Sequence, residues 1–172
     1  MLKLIGSVMV IAASGLTGMA VAGSYARRPG ELRALRSAFQ MLETEIGYGA
    51  TPLKEALSQV AARCDRTVAP LFGGVAGMLS ESRGTTAAEA WLKSMERCYP
   101  ETALKPQDLS ILRDLGSSIG ISGREDQMKH LRLAMERIGR EITAAEEEAA
   151  RNVKLWSYLG FLGGLMAVLV LY

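Results

Sequence analysis

The sequence predicts an all-α protein: a six-helix cytoplasmic bundle flanked by an N-terminal and a C-terminal transmembrane helix. Three observations carry this. Apolar residues recur in steps of three and four along most of the chain, the spacing of one helix face. Nothing between residues 24 and 154 alternates with the period of two of a half-buried strand. Two stretches, Leu4–Gly23 and Leu155–Tyr172, hold no charged residue, and each is close to the roughly 20 residues that cross a bilayer. The expected domains are therefore an anchor at 4–23, a soluble bundle at 24–154 and a second anchor at 155–172.

The totals agree. With 172 residues there is room for one modest domain between the apolar stretches. An apolar fraction of 49% with only 6% aromatics, and a mean hydropathy of +0.14, suits a membrane-attached helical protein. A β-sandwich would draw on more aromatic and β-branched residues. Net charge is +2, so no global field is aimed at nucleic acid. No Lys/Arg run alternates with aromatics to stack single strands, and nucleic acid is not an expected partner. Cys64 and Cys98 form no CxxC pair and read as small hydrophobes at helix ends.

The first apolar stretch is preceded by Lys3 and followed by Arg27, Arg28, Arg33 and Arg36. Ala20-Val21-Ala22 matches a signal-peptidase site, so export with cleavage is the competing reading. The stretch is longer than a usual signal core, and the arginines behind it resist translocation. Arg151 and Lys154 stand on the inner side of the second stretch. Both segments thus place the central domain in the cytoplasm and the termini outside. Gly160 and Gly164 form a GxxxG step, with a weaker small-residue pair at Ser14 and Gly18, spacings that let membrane helices approach closely.

Pro29-Gly30 is expected to break the chain after the first anchor. Glu31–Ile46 then carries Leu32, Leu35, Phe39, Leu42 and Ile46 on one face, with Arg33, Arg36, Gln40 and Glu43 opposite. A loop at Gly47–Ala50 leads to Thr51-Pro52, read as a cap and a first helical proline, before a helix with Leu53, Leu57, Val60 and Cys64. Asp65-Arg66-Thr67 separates it from a helix starting near Ala69-Pro70, in which Gly73, Gly74 and Gly77 read as close helix packing. After a turn at Ser82–Thr85, Thr86-Ala87-Ala88-Glu89 is a capping box for a helix with Trp91, Leu92 and Met95, ending at Tyr99-Pro100. Pro106 opens a fifth helix with Leu109, Leu112, Leu115 and Ile119, closed by Gly120.

The last helix is capped by Ser122 with Glu125 three positions on, and no proline follows. Its seam reads Met128, Leu131, Met135, Ile138, Ile142, Ala145 and Ala149. The first helix leaves the membrane as this one returns, so their seams are natural antiparallel partners.

No catalytic constellation is visible. There is no G-x-x-x-x-G-K-[ST], so the chain has no phosphate cradle of that type. His130 is the only histidine, which rules out His-paired metal or His/Cys chemistry within one chain. The run Glu146-Glu147-Glu148 reads as solvated helix surface, with pairs such as Glu147–Arg151, Glu136–Arg140 and Glu125–Lys129 at helical spacing.

Several runs carry a resemblance. Arg28-Pro29, then Leu42-Glu43-x-Glu45-Ile46-x-Tyr48-Gly49-x-Thr51-Pro52-Leu53, resembles the stage III sporulation protein AB family of endospore-forming bacteria. The start at Met1–Gly6, the stretch Gln127-x-Lys129-His130 and the segment Leu159–Leu165 are similar to it as well. The resemblance implies a component of the channel apparatus between mother cell and forespore, in the mother-cell membrane. It implies a central domain like the cytoplasmic domain of type II secretion F proteins. The implied partners are a secretion-type hexameric ATPase, the stage III sporulation protein AA, other membrane proteins of that operon, and the lipid bilayer. Some secretion F domains bind a divalent ion through acidic residues. No such site maps onto this sequence, and neither a metal nor another cofactor is expected.

The expected function is a non-enzymatic platform that couples the ATPase to the membrane assembly, with Arg33, Arg36, Glu43 and Glu45 as the expected docking residues. The alternative is a membrane-anchored regulator or small membrane enzyme whose site forms only on oligomerisation, with His130 and Tyr48 as its reactive groups.

Overall fold

The computed structural model describes the backbone of residues 2–49, 51–81, 84–120 and 123–171; the side chains of most of 2–24 and of most of 153–171 lie outside the described set. Six α-helices follow in order: α1 (Leu2–Gly47), α2 (Leu53–Arg63), α3 (Ala69–Glu81), α4 (Ala87–Cys98), α5 (Pro106–Ser118) and α6 (Arg124–Leu171). A short 3-10 turn at Tyr99–Glu101 is the one further helical piece among the described residues, which contain no strand. The chain divides into two compact units, Gly30–Ile142 and Met1–Pro29 with Thr143–Tyr172.

The unit Gly30–Ile142 has an aromatic centre. Phe39 of α1, Phe72 of α3 and Trp91 of α4 are all fully buried. Their rings meet with centroids 5.9–6.3 Å apart, two of the three contacts edge to face, the arrangement ring quadrupoles favour. The Trp91 indole Nε1–H donates to the Leu112 carbonyl on α5 at 2.8 Å, which settles its one polar atom. Around this centre Leu32, Leu35, Leu42, Leu57, Leu112, Leu131 and Ile138 are buried. The predicted face of α1 is therefore the observed one; on α5 Leu112, Leu115 and Ile119 are buried as predicted, while Leu109 is half-buried and Ile111 is buried beside them. On α6 the buried row uses Ala134 where the sequence suggested Met135, which is half-buried. Both positions fit a helical step from Leu131, and the smaller side chain takes the closer approach.

The α1 and α6 segments of this unit run antiparallel. Glu43 of α1 pairs with Arg132 of α6, and one turn on Gly47 faces Met128, leaving a Cβ there only 3.3 Å from the Met128 methyl. The glycine-rich part of α3 is a close-packing surface, as expected. Gly74 lies against Ser94 of α4, so a Cβ there would run into the Ser94 hydroxyl. That hydroxyl donates to the Leu71 carbonyl at 2.8 Å.

Helix ends follow the predicted chemistry at some places, Pro106 at the start of α5 among them, and depart from it at Pro29 and Thr51. Thr86 and Glu89 form the reciprocal capping box of α4. Gly120 ends α5 at φ +79, and a Cβ there would sit 2.6 Å from that of Ala87; glycine satisfies both demands.

Pro29, in contrast, does not break the chain. It lies inside α1. A proline removes one N–H and crowds the preceding turn, a cost of about 3 kcal/mol. Gly30 next to it adds to that local cost; the buried row from Leu32 to Ile46 favours propagation over termination. Thr51 does not cap α2 either. The Pro52 carbonyl accepts from Ala56 N–H at 2.9 Å, so proline takes the cap position; the Thr51 hydroxyl is turned back to Glu45. At α6 the first intrahelical acceptor among the described residues is the Gly123 carbonyl, bonded to Gln127 N–H at 3.0 Å. The expected cap Ser122 lies outside the described residues.

Two carboxylates of this unit, Glu31 and Asp108, are buried, which no spacing in the sequence suggests. Asp108 closes the start of α5 by accepting from Lys105 N–H at 2.8 Å. Glu31 accepts from Ala103 N–H at 2.7 Å and ties α1 to the stretch after the 3-10 turn.

In the other unit, Arg28 is buried and reaches Glu148 at 3.6 Å. α6 is helical through Arg151–Leu155. Among the described residues no helix is long and apolar enough to cross a membrane. The flanking transmembrane helices expected at 4–23 and 155–172, with the Gly160/Gly164 step, fall almost wholly on side chains outside the described set, and among the described residues the fold is all-α with six α-helices.

Candidate interaction surface

The four expected docking residues divide into two kinds. Arg33 and Arg36 point to solvent on α1. Glu43 and Glu45 are half-buried and already engaged. Glu43 pairs with Arg132 across to α6 at 2.5 Å. Glu45 accepts from Thr51 Oγ1 at 3.3 Å and from Arg63 Nη1 of α2 at 3.4 Å. A helical wheel makes residues 33, 36, 40 and 43 one stripe, but it does not show that residue 43 lies at the edge where α6 arrives.

Glu45 belongs to a second cluster at the C-terminal end of α1. Tyr48 N–H and Gly49 N–H both donate to the Thr44 carbonyl, at 2.9 and 3.4 Å. Thr51 N–H donates to the Glu45 carbonyl at 3.3 Å. Arg124, the first residue of α6, donates to the Gly47 carbonyl. Four of the last carbonyl groups of a helix have no intrahelical partner; here two loop amides and an arginine serve Thr44 and Gly47. Tyr48 is 90% exposed.

His130, the other group of the alternative reading, is exposed on the rim of a notch of about 260 Å³ between α5 and α6. Ile111, Leu115 and Ala134 line it, with Leu133 half in solvent. Beside His130, Arg137 pairs with Asp114 at 2.7 Å. Tyr48 and His130 are not drawn together by any described contact. Among the described residues no group of three His, Cys, Asp or Glu side chains is placed to hold a metal ion.

The cysteines lie at helix ends, Cys64 just after α2 and Cys98 closing α4, and both are unpaired and half-buried. Burial pushes both thiols above their ordinary value of 9.0; the adjacent Asp65 charge adds to the effect at Cys64, while a Ser94 hydrogen bond opposes it at Cys98. Asp65 moves the other way, because the backbone N–H and hydroxyl of Thr67 both bond its carboxylate. A thiol with a raised folded pKa favours folding below its ordinary value, and that contribution is lost as pH rises through the raised one. Stability is therefore expected to fall on the alkaline side of pH 9.0. Iodoacetamide at neutral pH should alkylate the folded chain more slowly than the urea-unfolded chain. Equal rates would remove the protection attributed to burial.

The profile of the stage III sporulation protein AB family matches residues 3–172. The chain belongs to the stage III sporulation protein AB family. The family's protein from Bacillus subtilis (strain 168) is 37% identical over 171 residues, covering 99% of each chain. A solved structure of stage III sporulation protein AB superposes with a TM-score of 0.67 at 33% identity, covering 97% of that chain and 72% of this one. Membership in the stage III sporulation protein AB family makes this a sporulation protein, and the likeness extends from sequence to helical fold.

Proposed function

We propose that the chain is a non-enzymatic membrane platform of the mother cell–forespore channel apparatus. It couples a secretion-type hexameric ATPase, the stage III sporulation protein AA, to the other membrane proteins of that operon. The observation that carries this reading is the layout of α1 and α6. Each contributes to the compact unit Gly30–Ile142, and each also holds one of the uncharged stretches, Leu4–Gly23 and Leu155–Tyr172. In this reading those stretches are anchors in the mother-cell membrane, the secretion F-like central domain is cytoplasmic, and both termini lie outside. Helical continuity through Arg151–Leu155 supports transmission of motion along α6. The arginines beside the first stretch support the orientation.

Docking falls to the α1 face at Arg33 and Arg36, exposed cations that suit acidic ATPase surface. The test is co-expression of the full-length chain with the ATPase, followed by membrane sedimentation. The ATPase should sediment only when the chain is present; an ATPase that stays soluble overturns the platform reading. Arg33→Glu with Arg36→Glu should cut recovery by about tenfold, the cost of reversing a rim charge pair that steers association. Unchanged recovery would reassign the surface and leave the platform standing.

A further inference from the structure

Among the described residues, four polar or charged ones are buried: Arg28, Glu31, Ser94 and Asp108. The last three are bonded to backbone groups, at Ala103, Leu71 and Lys105. Arg28 is held by a side chain of another helix. It is 5% exposed, and its guanidinium reaches the Glu148 carboxylate at 3.6 Å. Both residues belong to the unit Met1–Pro29 with Thr143–Tyr172, through which α1 and α6 pass in opposite directions. Taking a guanidinium and a carboxylate out of water is costly, and their attraction offsets that cost only in part. Apolar side chains of similar size would serve stability as well or better.

What apolar side chains would not supply is a choice of register. The sequence of this unit repeats small residues at close intervals, with Ala20 and Ala22 on α1, and Ala144-Ala145 and Ala149-Ala150 on α6. Surfaces made of such residues look alike after a slide of one helical turn, about 5.4 Å. Contact area alone therefore separates neighbouring registers poorly. A one-turn slide would set Arg28 against Ala144-Ala145 or against Arg151-Asn152. Either leaves a buried guanidinium without its carboxylate, which is heavily penalised. We infer that the Arg28–Glu148 pair is a register lock, fixing which turn of α6 lies against which turn of α1 in this unit. It selects one pairing over its neighbours and contributes little to stability. The lock does not depend on which protein docks at Arg33 and Arg36.

The test reads register by disulfide formation in the full-length chain, as the sole copy in sporulating cells. Tyr25 stands one turn before Arg28 and Asn152 one turn after Glu148, and both are half-buried. The locked register sets them opposite each other, and a slide of one turn would bring Ala149 to the place of Asn152. Chains carrying Tyr25→Cys with Asn152→Cys, or Tyr25→Cys with Ala149→Cys, are oxidised in the cells, and the linked peptides are measured by mass. Arg28→Met with Glu148→Leu should lower the ratio of the 25–152 link to the 25–149 link by about tenfold. The same apolar pair should melt no lower than the parent in detergent, whereas Glu148→Leu alone should melt lower. The charge swap Arg28→Glu with Glu148→Arg should restore the ratio. Spore yield should follow the ratio and not the melting temperature. An unchanged ratio in the apolar pair, a lowered melting temperature in that variant, or a swap that leaves the ratio low would overturn the inference.

Discussion

Replacing Trp91 with alanine should destabilise the Gly30–Ile142 unit by about 3–5 kcal/mol, the range for emptying a buried aromatic site. The indole is fully buried, touches Phe39 and Phe72 edge on or tilted, and ties α4 to α5 through Leu112. No neighbour is placed to collapse into the space, because the two phenylalanines are held by helices of their own. Trp91→Phe should recover most of the loss, leaving about 1 kcal/mol for the missing hydrogen bond. Denaturant unfolding of the full chain in detergent, followed by circular dichroism, measures both. A loss under about 1 kcal/mol for the alanine variant would mean the ring is not the centre of this core.

The second large effect is at Gly116 on α5. A Cβ there would collide with the Trp91 ring, with Nε1 at 2.8 Å and Cγ at 2.9 Å among its nearest atoms. Gly116→Ala gains about 1 kcal/mol of helix propensity. Against this, overpacking a filled core costs about 1–3 kcal/mol. The ring cannot yield, since Phe39 and Phe72 back it, so the clash should win and Gly116→Val should be worse. With Trp91→Ala in the background the clash disappears, and Gly116→Ala should become stabilising by up to about 1 kcal/mol. The double-mutant cycle reads that change of sign. Destabilisation of equal size in both backgrounds would show that Gly116 serves the backbone and not the ring.

Much of this core was legible in the sequence because helical periodicity reports burial directly. Leu32, Leu35, Phe39, Leu42 and Ile46 were found from spacing alone, as was the α4 capping box at Thr86 and Glu89. What spacing does not carry is the neighbour. That Gly116 faces Trp91, that Gly74 faces Ser94, and that Glu43 ends under Arg132 are facts about pairs from distant segments. Proline misled for a related reason. Local chemistry opposes a helix at Pro29, and long-range packing of the residues after it outweighs that local cost. The buried Glu31 and Asp108 could not be told from surface carboxylates, since their partners are backbone amides that every residue but proline possesses.

The clasp between Arg124 and Gly47 also sets an order in time. Its partners are 77 residues apart, whereas consecutive helices from α2 to α5 pack on one another. At a synthesis rate of about 5–20 residues per second, α1 leaves the ribosome roughly 4–15 s before α6 begins. Over that interval α2 to α5 can assemble on α1 as they emerge, but the α1 edge that Met128 and Arg132 later cover stays open. The nascent chain therefore passes through a state with one uncovered seam, closed only when the last helix is made.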